Sequence, residues 1–291
     1  MTETLSLRAK IEQSPMGAYQ WMIVVMAAIM NLLDGFDVLA LAFTATAIRG
    51  EFGLTGIELG YLLSAGLFGM TAGSLFLAPL ADKIGRRPLL LMAVSLSAIG
   101  MLGSAFISQY QWLGFWRVIT GLGVGGILVG TNVITSEYSS RKWRSFAISV
   151  YAAGFGVGAV LGGMFAVILQ GEYGWRAVFL AGAILTGLLL VVLFIWLPES
   201  IDFLTSKQPK NAEVRLNLIA KKIGLAGDWK LPEKAEKVKS KLPISQLFSE
   251  KYLHSTLLIW TAFFAIMFSF YFISSWTDRK STRLNSSHSR A

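Results

Sequence analysis

Two carboxylates sit inside the first long apolar run of this chain. Asp34-Gly35-Phe36-Asp37 is preceded by largely apolar sequence from Trp21 to Leu33 and followed by more from Val38 to Ile48. A carboxylate at the centre of a bilayer costs about 3 kcal/mol on insertion scales, so such residues face a polar cavity and mark proton relays or substrate paths. At i and i+3 the two side chains share one helix face, and Asn31, one turn earlier, falls on the same face. A third charge, Arg117, lies in another apolar run. At 1.5 Å per residue, Asp34 and Asp37 lie about 20 and about 24 Å past Trp21, and Arg117 about 8 Å past Trp112 from the opposite surface. In a hydrocarbon core about 30 Å thick, all three share a depth. The spacing predicts Arg117 beside at least one aspartate, a group able to take up a proton and attract an anion. Two plainer roles stay open: Arg117 holding backbone carbonyls, and the aspartates capping or kinking a helix at Gly35.

The elements that must position these residues are membrane spans. The 291 residues are 54% hydrophobic and 15% charged, which fits a polytopic membrane protein. Apolar runs predict spans over 21–48, 57–81, 88–107, 112–135, 145–169, 176–197 and 253–276. The resulting divisions are a polar segment 1–20, a six-span bundle 21–197, a charged central loop 198–252, a seventh span 253–276 and a tail 277–291. The tail contains Ser281-Thr282-Arg283-Leu284-Asn285-Ser286-Ser287-His288, which looks like translated cloning-adapter DNA and is expected to be non-native. No cleaved signal peptide is expected, because the first apolar run is too long.

Arg8, Lys10, Lys83, Arg86, Arg87, Arg141, Lys142, Arg144 and the basic stretch from Lys207 to Lys251 all fall on one side, against Arg49 and Arg176 on the other. The positive-inside rule then places the N-terminus and the central loop in the cytoplasm, in the inner membrane of a cell. Trp21, Trp112, Trp143, Trp175 and Trp196 fall near span ends, as an aromatic belt requires. The net charge of +9 does not imply nucleic acid, since it is spread over loops and interleaved with Glu213, Asp228, Glu233 and Glu236. The central loop reads as a solvated, partly helical linker lying on anionic lipid. With no cysteine, and with His254 and His288 far apart, no metal site or cofactor is implied, and no enzymatic constellation is present.

Loop and span motifs carry a family resemblance over about residues 15–276. Ala78-Pro79-Leu80-Ala81-Asp82-Lys83-Ile84-Gly85-Arg86-Arg87 is similar to the loop 2–3 signature of the major facilitator superfamily, with Ala78 where glycine is usual. Arg117-x-x-x-Gly121-x-Gly123, running on to Glu137 and Arg144, resembles that superfamily's fourth span and following loop. Gly154-x-x-x-Gly158-Ala159-x-x-Gly162 in the fifth span has the spacing of close helix packing, with Ala159 where the superfamily's antiporters carry proline. Gly174-Trp175-Arg176 and Pro198-Glu199-Ser200 resemble its boundary motifs. Within the superfamily, Asp34-Gly35-Phe36-Asp37 and Phe272-Ile273-Ser274-Ser275-Trp276 resemble the aromatic acid:H+ symporters.

The resemblance implies an all-α fold: a six-helix N-terminal bundle of two inverted three-helix repeats, a long cytoplasmic loop and one further helix. It implies import of a small aromatic carboxylate with a proton, by a protein that is a monomer when complete. It also implies a gating latch of Asp82, Gly85, Arg86, Arg87, Glu137 and Arg144, with Arg86 and Glu137 in ion-pair reach. Phe36, Phe43, Phe68, Phe115, Tyr151 and Phe155 are available to stack on a substrate ring, and Asn132 to line a cavity. Because such transporters bind substrate between two six-helix halves, this chain is expected to be a truncated fragment, inactive alone, with Asp34, Asp37 and Arg117 exposed to lipid on an open inner face. Other readings are an organic-anion or sugar porter of the same superfamily, and a seven-helix receptor or retinal protein. The latter lacks a lysine between Leu253 and Trp276 for a Schiff base.

Overall fold

A computed structural model describes residues 6–225, 227, 229–231 and 248–288. The charged stretch 232–247 of the central loop and residues 289–291 of the tail lie outside the described residues. Among the described residues the secondary structure is helical, in ten helices. Six form the bundle: α2 (Ala18–Phe52), α3 (Gly56–Ile84), α4 (Arg86–Ala105), α5 (Tyr110–Tyr138), α6 (Arg144–Tyr173) and α7 (Trp175–Trp196). All six are long and apolar enough to cross a membrane, and their ends lie within a few residues of the predicted spans. Helix α2 runs through Gly35 without a break, so the aspartates do not cap a helix end there.

The bundle is built twice. Helices α3 and α6 have 29 and 30 residues, and α4 and α7 have 20 and 22. Helix α2 packs along α6 as α5 packs along α3, while α4 packs on both α5 and α7. Each repeat turns from its second to its third helix on one glycine at positive φ, Gly85 (104°) and Gly174 (79°). Such a φ is readily adopted only by glycine. The crossings are close because glycines meet backbone: a Cβ on Gly35 would strike the carbonyl of Phe155, one on Gly158 that of Leu32, and one on Gly69 that of Val118.

Three short helices finish the end of the bundle where α2 begins: α1 (Leu7–Gln13), α8 (Ile201–Lys207) and α9 (Ala212–Ile223). Leu7, Ile11, Ile201, Leu204, Leu216 and Ile219 are buried in one apolar cluster with Ile23, Tyr138 and Leu193 of the spans. This corrects two expectations. Residues 6–20 are not merely a polar lead-in, and the stretch read as a solvated, partly helical linker is helical over Ala212–Ile223 but buries one face of that helix rather than being solvated all round. Ala212, Leu216, Ile219 and Ile223 recur at helical spacing, so α9 has an apolar stripe that the bundle end covers.

The chain divides into two compact units, Met1–Glu233 and Lys234–Ala291. The second contains α10 (Glu250–His288), whose segment Tyr252–Ser269 is apolar enough to span a membrane. Phe264 stacks on Phe268 with ring centroids 6.0 Å apart. The helical backbone continues past Trp276 through the polar tail to His288.

Candidate functional site

The polar residues of the first span form a buried row along α2. Asn31, Asp34 and Asp37 are 3, 2 and 1% exposed, and Arg117 of α5 is 3% exposed. They therefore lie inside the six-helix bundle, not on an open face toward lipid, which corrects that expectation. Asn31 Nδ2 donates to the carbonyl of Tyr151 on α6 at 2.8 Å. Asp34 Oδ2 has no protein hydrogen-bond partner. Asp37 Oδ2 accepts a hydrogen bond from Ser97 Oγ of α4 at 2.7 Å. Arg117 Nη2 donates to the backbone carbonyl of Asp37 at 2.6 Å, Nη1 to Met101 Sδ at 3.3 Å, and the guanidinium stands 5.8 Å from the Phe179 ring centroid.

Arg117 is thus beside Asp37, but bonded to its carbonyl; no ion pair to either carboxylate forms among the described residues. The arrangement can hold a proton on either carboxylate. Arg117 also lines a narrow crevice with Val38, Gly66 and Thr120. Phe36 and Tyr151 are buried, whereas Phe68 and Phe115 are exposed on the bundle surface. Gly162 faces the Phe36 ring and Gly182 of α7 faces both Phe36 and Asp37, so small residues shape the space around the pair.

At the end where α2 begins, the structure splits the expected latch into separate groups. Arg86 Nη1 meets Asp82 Oδ1 at 2.7 Å. Arg87 donates to the carbonyl of Phe194 at 2.7 Å. Glu137 accepts from Ser200 Oγ and the Ile201 amide, each at 2.8 Å. The expected Arg86–Glu137 pair is not formed among the described residues. Glu199 stands in its place: its Oε1 accepts the amides of Arg86 (2.7 Å), Arg87 (3.1 Å) and Ser200 (2.9 Å). A carboxylate at the first amides of α4 also complements the helix dipole. The matching corner of the second repeat is held by Glu51, which takes Arg176 at 2.9 and 2.7 Å and Trp175 Nε1 at 2.6 Å. Asn132 is exposed and lines a cleft with Arg8, Glu137 and Asp202.

Arg144 is not part of the latch and holds α1 instead, donating to Glu12 Oε1 at 2.6 Å, while Arg8 pairs with Asp202. That hydrogen bond from Arg144 holds the Glu12 carboxyl below its ordinary value of 4.5. A lowered folded value means that the contact contributes stability above the unfolded pKa, and that the contribution is lost as pH falls through the folded one. Hydrogen-exchange protection over Leu7–Gln13, taken relative to the intrinsic amide rate at each pH, is therefore expected to fall in acid more than over α9, and Glu12→Gln to remove the difference. Equal pH sensitivity of the two helices would count against the contact.

Of the glycines named from sequence, Gly121 abuts Gly66 and Met70 of α3, Gly123 abuts Ala93 and Ser97 of α4, and Gly154 abuts the carbonyl of Ala28 on α2. Sequence reasoning missed Ser97, Glu51, Glu12 and the capping role of Glu199.

A family model described as the Major Facilitator Superfamily matches residues 27–287. The gallate transporter of Pseudomonas putida is 33% identical over 91% of this chain and 59% of its own length. The 4-hydroxybenzoate transporter PcaK of Pseudomonas putida is 32% identical over 94% of this chain and 62% of its own. The chain thus spans about three fifths of the length of these curated relatives. Among solved structures, the xylose transporter XylE from E. coli, partially occluded and inward open, superposes with a TM-score of 0.62 at 22% identity, over 69% of this chain and 55% of that one. A bacterial homolog of the human lysosomal transporter Spinster gives 0.58 at 21%, over 64% and 44%. These two likenesses bear on the fold alone.

Proposed function

The chain belongs to the major facilitator superfamily, and from that premise we propose that it serves the proton-coupled import of aromatic carboxylates of the gallate or hydroxybenzoate kind. The observation that carries this reading is the Asp34–Asp37 pair, buried in the middle of a membrane bundle with Ser97 and Arg117 against it. The names of its relatives point to the substrate class: a gallate transporter and 4-hydroxybenzoate transporters. The distribution of Lys and Arg supports an inner-membrane protein with a cytoplasmic N-terminus.

Transport of this kind rocks two six-helix halves about a site between them. In the first half, Arg117 is the cation that an aromatic carboxylate would meet. A proton taken up at Asp37 or Asp34 removes a negative charge beside that cation and lets it attract the substrate anion instead. Loss of the proton on the other side reverses the preference and favours release. The latch residues Asp82, Arg86 and Arg87, with Glu199, brace the α3–α4 corner while the halves move.

The test is uptake of labelled 4-hydroxybenzoate and labelled xylose by cells expressing the whole protein, with and without a protonophore. Accumulation of the aromatic acid that collapses with the protonophore is the expected result. Accumulation of xylose instead, or uptake indifferent to the proton gradient, would overturn the reading.

A further inference from the structure

Serine hydroxyls in apolar helices usually turn back on their own backbone. Ser95 and Ser104 of α4 do so, donating to the carbonyls of Leu91 and Gly100 at 2.7 and 2.8 Å. Ser97, on the same helix and fully buried, does not: its hydrogen goes to another helix, to Asp37 Oδ2 at 2.7 Å. The other carboxylate oxygen, Oδ1, has no protein partner. Ser97 is therefore the protein's hydrogen-bond donor to this carboxylate among the described residues.

Its position is enforced from behind. A Cβ on Gly123 of α5 would lie 2.6 Å from the Ser97 amide nitrogen, so α5 presses directly on the backbone of α4 at this turn. From the opposite side, a Cβ on Gly182 of α7 would lie 3.4 Å from Asp37 Oδ1. The carboxylate is thus clasped between a hydroxyl and a bare backbone surface.

We propose that Ser97 is a positioning residue for proton coupling: its hydroxyl, fixed by the α4–α5 contact, orients the Asp37 carboxylate and sets the balance between its charged and neutral forms. This rests on the reading of Asp37 as a proton-carrying group. The physical basis is that a hydrogen bond donated to a carboxylate stabilises the charged form, and does so strongly when the site is buried. The charged and titratable groups around Asp37 are few. Asp34 lies one turn back on α2, Arg117 of α5 holds the Asp37 carbonyl, and Tyr151 of α6 stands near Asp34. Helices α4 and α7 bring Ser97, Met101 and Gly182, none of them charged. Helix α3 has no titratable residue from Leu62 to Ala81.

The experiment is an infrared titration of protonated-carboxyl bands in the purified chain in lipid nanodiscs, with Asp37 identified by the band that Asp37→Asn removes. In Ser97→Ala the transition of that band is expected to move by about one pH unit or more. Ser97→Thr, which keeps a hydroxyl, is expected to return it to the wild-type position. Should Ser97→Ala not fold, Ser97→Cys, of similar size and a weaker donor, takes its place with a displacement in the same sense. An unmoved transition, or one that Ser97→Thr displaces as far as Ser97→Ala does, makes Ser97 a packing residue and overturns the proposal while leaving the proton reading intact. If Asp37→Asn removes no titrating band, the proton reading fails and this proposal with it.

Discussion

If the whole protein is the proton-coupled aromatic-acid importer proposed above, asparagine at position 37 is expected to lower proton-driven accumulation by about a hundredfold or more, the range in which removing a group that carries a proton usually falls. Asp34→Asn is expected to act in the same direction, since the two carboxylates share one face of α2 and one buried environment. Neither variant should be less stable than the parent. Asparagine keeps the shape of aspartate, and relieving a buried, incompletely hydrogen-bonded carboxylate of its charge removes a desolvation cost. Loss of accumulation together with unchanged or raised thermal stability is the signature of a functional group. Unchanged protonophore-sensitive accumulation in both variants would end the coupling hypothesis, and loss of stability in parallel with activity would point to a structural role.

The second large effect is one of packing. Gly158→Ala should destabilise the bundle by about 1–3 kcal/mol, because the new methyl would be driven into the Leu32 carbonyl of α2 and only a backbone shift can relieve it. Gly156, two residues earlier on the same helix, has nothing within 4 Å of an added Cβ. Gly156→Ala should therefore be neutral or slightly stabilising, as helix propensity favours alanine. Thermal unfolding of the two variants in detergent makes the comparison within one helix, and equal midpoints would mean that the α2–α6 crossing is looser than its geometry shows. Gly35 belongs to the same contact from the other side. Its place between the two aspartates is explained by the Phe155 carbonyl against it, so the packing that joins α2 to α6 also fixes the pair.

What could be read from the sequence was whatever repeats along one helix. Twenty-residue apolar runs gave the spans, and glycines four apart gave the faces that pack, because each signal is local and periodic. Asp34, Asp37 and Arg117 stood out because charge inside an apolar run is costly wherever it lies. Ser97 carried no such signal: a lone serine in an apolar helix is ordinary, and its partner is 60 positions away. Arg86 and Glu137 were paired in expectation through the latch that the family resemblance implies. In the structure Arg86 takes the aspartate one turn away, and Glu137 takes amide and hydroxyl donors from the chain just after α7. The burial of the polar row was missed because depth in the bilayer says nothing about which helices surround a residue. The stripe on α9 was legible at helical spacing, but it was hidden in a stretch whose lysines made it look like solvated linker.

The packing of α8 and α9 beneath the spans changes where the molecule could be divided. A cut at the end of α7, where hydropathy stops, would strip Ile201, Leu204, Leu216 and Ile219 from the apolar cluster and leave Leu7 and Ile11 bare. It would also remove Glu199 from the first amides of α4 and Ser200 from Glu137. The natural seam falls instead after Glu233. Split-gene complementation, or exchange of segments between related transporters, should join there, so that the six-helix bundle keeps the short helices packed on its end.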